Sequence, residues 1–220
     1  MSASKPNPIA IPDPSAVIAA DTGPGSAASC QEIGLANQFL VAMPGMLDAT
    51  FAGSIVYLFE HNARGAMGLV VNRPTETSLS ALLEKIDLQL EITPFLDQSV
   101  YLGGPVQVER GFVLHEAISP PYSSSLAIPG GLTMTTSKDV LEAVAKGKGP
   151  KQFIMTLGYS GWSAGQLEEE IALNGWINVA LSREQMVEII FETPSNLRYE
   201  RTLNTLGFDP SDLSGQVGHA

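Results

Sequence analysis

The sequence contains a single cysteine, few basic residues and no long apolar run, and each shortage excludes a class of protein. Cys30 is the only cysteine among 220 residues, so the chain can form neither an internal disulfide nor a cysteine-built zinc site. No apolar run approaches the ~20 residues that a membrane-spanning helix needs, so no membrane association is predicted. Twelve basic residues stand against 23 acidic ones, which gives a formal charge of −11. Because such a charge repels a phosphate backbone, no nucleic-acid partner is expected.

The N-terminal segment lacks the side chains that a folded core requires. Five of the 15 prolines lie in the first 30 residues, among many Ala, Ser and Gly and no aromatic residue. This composition buries too little apolar surface to offset the entropy of ordering, so residues 1–37 are predicted to be a disordered tail. A secretory signal is the alternative, but Pro12 and Pro14 interrupt its apolar stretch and Lys5 is the only early cation. We therefore expect a cytoplasmic protein.

The remainder, residues 38–220, is predicted to be one α+β domain whose last ten or so residues are loose. Hydrophobic residues make up 44% of the chain, which is enough for a sizeable core. β-Branched and aromatic runs predict strands, and spaced apolar residues with capping signals predict helices. The predicted strands are 54–59, 66–71, 99–102, 112–114 and 153–157. The predicted helices are 79–86 and 195–206, and one after each of Ser137, Ser163 and Ser182. The segment 60–65 is interpreted as a long polar hairpin loop.

The constellation most like an enzyme or metal site combines Glu60, His61 and Asn62 with His115. A pair of histidines with a carboxylate could ligate a divalent metal or perform acid–base chemistry. The alternative is that these side chains fix the hairpin and a strand end. The sequence contains no H-E-x-x-H motif and no dense group of ligands, so the structural role is favoured and no metal or other cofactor is predicted.

Two further groups of polar residues are candidate binding patches. Asn72 and Arg73 follow the second hairpin strand, whose six residues span about 20 Å. They should therefore lie at the opposite end of the hairpin from His61 and not share its site. Trp162, Gln166 and Glu170 lie on or just before one predicted helix, and the i,i+4 spacing places Gln166 and Glu170 on the same face. The three residues could form a recognition surface. We favour the alternative, in which Trp162 packs in the core and anchors the start of the helix. The neighbouring sequence 158–162 fails as a G-x-S-x-G nucleophile elbow because Trp162 replaces the final glycine.

Many short motifs in order resemble one family. They are Phe39–Met46, Glu60–Asn62, Gly65–Gly68, Asn72–Pro74, Gly103–Val106, Arg110–His115, Leu157–Tyr159, Trp162, Gly165–Glu168, Glu170–Ile171 and Gly218–Ala220. In this order the chain resembles the bacterial AlgH/YqgE family of largely uncharacterised proteins. The resemblance implies a single cytosolic α+β domain with a mixed, partly barrel-like sheet and peripheral helices. It implies no established enzyme activity, and in pseudomonads it implies a link to the regulation of alginate production.

Together these observations predict a non-enzymatic cytosolic regulatory or interaction protein that recognises another protein. The alternative is a small-molecule-binding protein, or a weak hydrolase that uses His61 or His115. A DNA-binding regulator is disfavoured by the charge of −11 and by the lack of a basic helix. The oligomeric state, the partner and the regulated pathway cannot be derived from the sequence.

Overall fold

Ten β-strands join into one curled sheet in the part of the chain that this computed structural model describes, residues 34–91 and 95–207. The strands are β1 (Phe39–Ala42), β2 (Ile55–Asn62), β3 (Gly65–Val70), β4 (Pro74–Ser78), β5 (Ser99–Leu102), β6 (Val106–Glu116), β7 (Ser125–Ile128), β8 (Leu132–Thr135), β9 (Phe153–Ser163) and β10 (Trp176–Val179). The helices are α1 (Leu79–Glu84), α2 (Lys138–Ala145), α3 (Gln166–Ala172), α4 (Arg183–Val187), which continues into a π-helical segment (Glu188–Glu192), and α5 (Arg198–Asn204).

The sheet has the order β10-β1-β2-β3-β9-β6-β8-β7, with β5 attached to β9 and β4 attached to β5. All of these pairs are antiparallel except β5–β9, which is parallel. The sheet curls into a half-barrel with helices around it. The predicted fold, a single α+β domain with a mixed, partly barrel-like sheet and peripheral helices, is therefore confirmed.

In the described part of the chain, three apolar clusters hold the helices on the sheet. The largest cluster includes Tyr57 and Phe112 from the sheet together with Met186, Ile189 and Leu203 from the C-terminal helices. The other two clusters lie beneath α3 and beneath α1 and α2 respectively. Each helical group therefore covers its own patch of sheet, since an amphipathic helix is stable only when its apolar face is buried.

The predicted hairpin forms, but its loop is shorter than expected. β2 and β3 pair antiparallel with Val56 opposite Val70. The polar segment interpreted as a long loop is mostly strand, because β2 runs through Asn62 and β3 begins at Gly65. Turn signals in the sequence did not reveal this, because polar residues continue a strand wherever one face is not fully buried.

The predicted helices are present, but one of the two predicted capping boxes does not form. Ser182 and Gln185 form the full reciprocal capping box at the start of α4. Ser163 does not cap α3: it is the last residue of β9, and Gly165, with φ of +78°, occupies the N-cap position instead. Half of the expected box survives, because the Gln166 side chain still accepts a hydrogen bond from the Ser163 backbone N–H at 3.0 Å.

The Gly103-Gly104 pair allows the connection from β5 to β6 to lie directly against β9. A Cβ atom on Gly103 would stand 2.2 Å from the Gly158 carbonyl oxygen, and one on Gly104 would stand 2.3 Å from the Tyr159 backbone. Gly104 also adopts a φ of +154°, which other residues rarely tolerate. The pair therefore serves backbone packing rather than phosphate binding.

The predicted tail, residues 1–37, lies mostly outside the described residues, as does the predicted loose end. Residues 34–37 are described and contact the sheet: the Asn37 backbone N–H donates to the Leu58 carbonyl at 2.8 Å, and its side-chain oxygen accepts from the Tyr57 hydroxyl at 2.8 Å. The folded part of the chain therefore begins before Gln38. Within the described ranges, no helix has the length and hydropathy needed to cross a bilayer.

Candidate binding pocket

Three of the predicted site residues meet where β9 ends and α3 begins. Trp162 is 4% exposed, and its indole N–H donates to Glu170 Oε2 at 2.9 Å. The Gln166 side-chain amide donates to Glu170 Oε1 at 2.9 Å, from one turn earlier on the same helix. The i,i+4 spacing noted in the sequence therefore produces a real contact.

Two aromatic residues that the sequence analysis did not single out complete this site. Trp176, the first residue of β10, donates its indole N–H to the same Glu170 Oε2 at 2.8 Å. Phe51 lies against both tryptophans, with its ring centroid 6.2 Å from that of Trp162 and 5.3 Å from that of Trp176. The three rings and the carboxylate thus form one connected cluster.

The negative charge of Glu170 is committed to the fold. A carboxylate offers about four lone-pair sites, and here three donors occupy it: two indoles and one amide. Because these donors come from β9, β10 and α3, the carboxylate ties three elements together. Its charge-assisted hydrogen bonds are stronger than those between neutral groups.

A pocket of about 290 Å³ opens over this cluster, and we call it the tryptophan pocket. Phe51, Trp162 and Trp176 supply its aromatic walls, and Met46, Pro105 and Leu173 complete its apolar lining. Among the described residues that line it, Asp48 and Glu170 are charged, and both are acidic. Leu173 is 81% exposed at its edge, and Leu47, next to Met46, is 98% exposed. An apolar depression with exposed leucines beside it is typical of an interaction surface.

Asn72 and Arg73 lie beside this pocket rather than in it. The Asn72 side chain accepts from the Ile55 backbone N–H at 2.9 Å and donates to the Gly53 carbonyl at 2.8 Å. Arg73 donates to the carbonyls of Ala49 and Ala52. Both side chains therefore hold the loop that carries Phe51 into the pocket.

His61 is held at both ring nitrogens. Nδ1 accepts the Leu35 backbone N–H at 3.2 Å, so the proton of the neutral ring lies on Nε2, which donates to Glu168 Oε1 at 2.8 Å. A general base needs a free lone pair on the ring, and here that lone pair is already engaged. Through these two hydrogen bonds, His61 links β2 to α3 and to the segment before β1.

Glu60 and Asn62, the residues on either side of His61, form a hydrogen bond with each other. Glu60 Oε1 accepts from the Asn62 side-chain amide at 2.6 Å, and Asn62 Oδ1 accepts the Arg64 backbone N–H at 2.8 Å. These contacts shape the β2–β3 turn. They support the structural role that the sequence analysis favoured.

His115 is fully buried and distant from His61. Its Nδ1 lies 2.7 Å from the Glu116 carbonyl oxygen and its Nε2 2.9 Å from the Thr135 hydroxyl. Burial lowers the pKa of His115, and the hydrogen bond to the Glu116 carbonyl opposes this shift. His115 pairs with Phe153 at one end of β9, whereas the β3 neighbour of His61 pairs with Trp162 at the other. No group of His, Cys, Asp and Glu in residues 34–91 and 95–207 is arranged to hold a metal ion.

A model of the AlgH-like family matches residues 39–211. The chain belongs to the AlgH-like family. A UPF0301 protein from Ralstonia pickettii (strain 12J) is 63% identical over 188 residues, covering 86% of this chain and 96% of that protein. A UPF0301 protein from Paraburkholderia phymatum is 58% identical over 192 residues, covering 87% and 98% respectively. The predicted family is therefore confirmed.

Two solved structures support the same fold. The solution structure of the AlgH protein from Pseudomonas aeruginosa matches with a TM-score of 0.69 at 41% identity, covering 88% of this chain and all of that one. The crystal structure of protein DIP2367 from Corynebacterium diphtheriae matches with a TM-score of 0.52 at 19% identity, covering 74% and 91%, and supports the fold alone. No enzymatic role is established for this uncharacterised family.

In this AlgH-like domain, the sequence analysis missed Phe51 and Trp176 for a topological reason. Neither residue has a local spacing relation to Trp162, and both reach it only because β10 pairs with β1 and the 49–53 loop folds back. One signal was available: Trp162 and Trp176 are the only two tryptophans of the chain. Their scarcity marks the two tryptophans as a pair, although no local pattern predicts that their side chains are in contact.

Proposed function

We propose that this AlgH-like protein is a non-enzymatic interaction module that docks a segment of a partner protein in the tryptophan pocket. The observation that carries the proposal is the pocket itself, with its three aromatic walls and the two exposed leucines beside it. Buried aromatic contacts supply most of the binding energy in protein interfaces. A leucine that is 81% exposed at the edge of such a pocket adds apolar surface that a partner would cover.

The charges favour a partner segment that is basic and apolar. Asp48 and Glu170 are the charged residues of the lining, and the chain as a whole carries −11. Lysine or arginine residues flanking one large apolar side chain would complement both features. A regulatory role in the cytoplasm is part of the proposal, and an acidic protein of this kind has little means of binding nucleic acid.

The histidines give less support to the hydrolase alternative. His61 has no free ring lone pair for use as a base, and His115 has no access to solvent. Activity at either residue would require the loss of an existing hydrogen bond before any substrate could react.

A photo-crosslinking amino acid at Leu173 tests the proposal. The control carries the same amino acid at Ile118, which is 37% exposed and lies two residues after β6. We expect Leu173 to capture a protein through a basic segment and Ile118 not to capture it. Once purified, that protein should shift the tryptophan emission, since both tryptophans of the chain line the pocket.

Leu173→Glu should abolish that shift and leave the fold intact. Equal capture at Ile118, capture of an acidic protein, or an emission shift that survives Leu173→Glu would each overturn the proposal.

A further inference from the structure

A second pocket, of about 310 Å³, lies between the end of β5, the start of β9 and α5. Tyr101, Phe153, Ile154 and Phe191 provide its apolar walls, and Arg198 and Lys151 are its charged residues. We call it the arginine pocket. Among the described residues it shares no lining residue with the tryptophan pocket, and its charges have the opposite sign.

Arg198 is 4% exposed, and in the described ranges it contacts two backbone carbonyls and Tyr101. Its Nε donates to the Thr193 carbonyl at 2.9 Å, and its Nη1 donates to the Val71 carbonyl. The guanidinium carbon lies 4.9 Å from the centroid of the Tyr101 ring. These two carbonyls use two of the five N–H donors of the guanidinium, and Tyr101 is a further hydrogen-bond partner, so donors remain for a ligand.

Across residues 34–91 and 95–207, no carboxylate forms an ion pair with Arg198. Burial lowers the pKa of this guanidinium, and the neighbouring Tyr101 opposes the shift, yet arginine remains charged in proteins. A buried charge without a partner of opposite sign is costly. The absence is notable in a chain with 23 acidic residues and only 12 basic ones.

Lys151 brings a second cation to the same pocket. It is exposed and lines the pocket, and in the described ranges it too forms no ion pair with a carboxylate. Glu192, which is exposed nearby, accepts instead from the Gln152 side chain at 3.1 Å. Arg198 and Lys151 thus face one small space with aromatic and aliphatic walls, and neither pairs with a carboxylate of residues 34–91 or 95–207.

We propose that the arginine pocket binds a small organic anion, a carboxylate or phosphate carried on an apolar body. The oxyanion would accept from the remaining N–H donors of Arg198 and from the Lys151 ammonium, and the apolar body would pack on Phe153, Ile154 and Phe191. The volume is at the lower end of the usual range for ligand sites, which suits one ring or a short acyl chain. This site is independent of the proposed protein interaction.

Titration with phenyl phosphate and phenylacetate, monitored by calorimetry and by two-dimensional NMR, tests the site. Benzyl alcohol is the neutral control, and inorganic phosphate is the control without an apolar body. We expect at least one of the two anions to bind about tenfold more tightly than either control, and the two arms distinguish phosphate from carboxylate. The shifted NMR signals should come from residues 151–154 and 198, while the two tryptophan indole signals remain unchanged.

Lys151→Ala should weaken binding about tenfold, whereas Lys148→Ala, a neighbouring exposed lysine that does not line the pocket, should leave it unchanged. Arg198→Met should abolish binding. If this variant does not fold, the comparison of the two lysine variants decides. Benzyl alcohol binding as tightly as the anions, equal affinity in Lys151→Ala and the native protein, or no binding of either anion at millimolar concentration would each overturn the proposal.

Discussion

The two pockets of this domain differ in how far the fold compensates the charged side chain that lines them. In the tryptophan pocket, Glu170 accepts from two indoles and an amide, so its charge is used by the fold itself. In the arginine pocket, Arg198 is more deeply buried, and within the described ranges its partners are two backbone carbonyls and Tyr101 rather than a carboxylate. A charge that the fold fully compensates has a structural role, whereas one that the fold leaves uncompensated is available to a ligand.

This contrast separates what each pocket can recognise. With Glu170 committed to its donors, the tryptophan pocket selects mainly by shape and apolar area, and its acidity acts at long range. The arginine pocket selects by direct contact with a negative group. Variants that remove one partner at a time test this separation.

The largest effect is expected for Trp162→Ala. Removing a buried indole leaves a cavity beside Phe51 and Trp176 and should destabilise the protein by about 3–5 kcal/mol. Urea denaturation measures this cost. Trp162→Phe, which keeps a ring and loses only the N–H donor, is the matched control and should cost less. A midpoint for Trp162→Ala equal to that of the native protein would mean that the tryptophan pocket is a surface feature without a structural role.

A smaller loss, of about 2 kcal/mol, is expected for Glu170→Ala. The change leaves the indole N–H groups of Trp162 and Trp176 without their acceptor, and an unpaired buried donor costs about 1–3 kcal/mol. Glu170→Gln keeps one side-chain oxygen and should lose less stability. If the Glu170→Ala and Glu170→Gln proteins were equally stable, the hydrogen bonds to this side chain would not stabilise the fold.

His115 is a further buried titratable group, and its burial predicts a pH dependence of stability. Since burial lowers its pKa in the folded state, the unfolded chain binds the proton more readily. Its contribution to stability is therefore complete above the unfolded pKa of about 6.5 and is lost as the pH falls below that value. The free energy of unfolding, measured from pH 7.5 to pH 5, should fall.

His115→Gln, which cannot titrate, should flatten this pH dependence. An unchanged slope in the variant would assign the pH dependence to other groups.

The smallest effect is expected for Lys151→Ala. This side chain is exposed and forms no ion pair in the described part of the chain, so its removal should change the free energy of unfolding by no more than about 0.5 kcal/mol. Thermal and urea denaturation measure the difference. A loss well above 1 kcal/mol would show that Lys151 serves the fold, in contrast to the role assigned to it in the arginine pocket.

The sequence predicted the features that depend on local pattern. The β2–β3 hairpin, the capping box of Ser182 and the contact between Gln166 and Glu170 all arise from residues close together in the chain. Strand alternation of apolar residues, helix capping and helical spacing involve residues a few positions apart, so a single sequence is enough to predict them. The family resemblance supplied the half-barrel, which no local pattern indicates.

Features that depend on distant contacts were not predictable in this way. Phe51 and Trp176 reach Trp162 only through strand pairing, and Arg198 reaches Tyr101 from almost 100 residues further along the chain. Ser163 was predicted to begin a helix because its sequence fits a capping box, but pairing with Gly65 on β3 extends β9 through it. Tertiary pairing overrides a local signal when the strand gains more hydrogen bonds than the cap offers.

The position of β9 in the chain has a consequence for synthesis. This strand pairs with β3, β5 and β6, all of which precede it. The ribosome must add 47 residues, from the end of β6 at Glu116 to the end of β9 at Ser163, before these pairings can be completed. At about 5–20 residues per second this takes roughly 2–9 s, during which β3, β5 and β6 lack their common neighbour. Unpaired strand edges aggregate, so we expect nascent chains that stop short of Ser163 to engage holding chaperones, and those that extend well beyond it to be released.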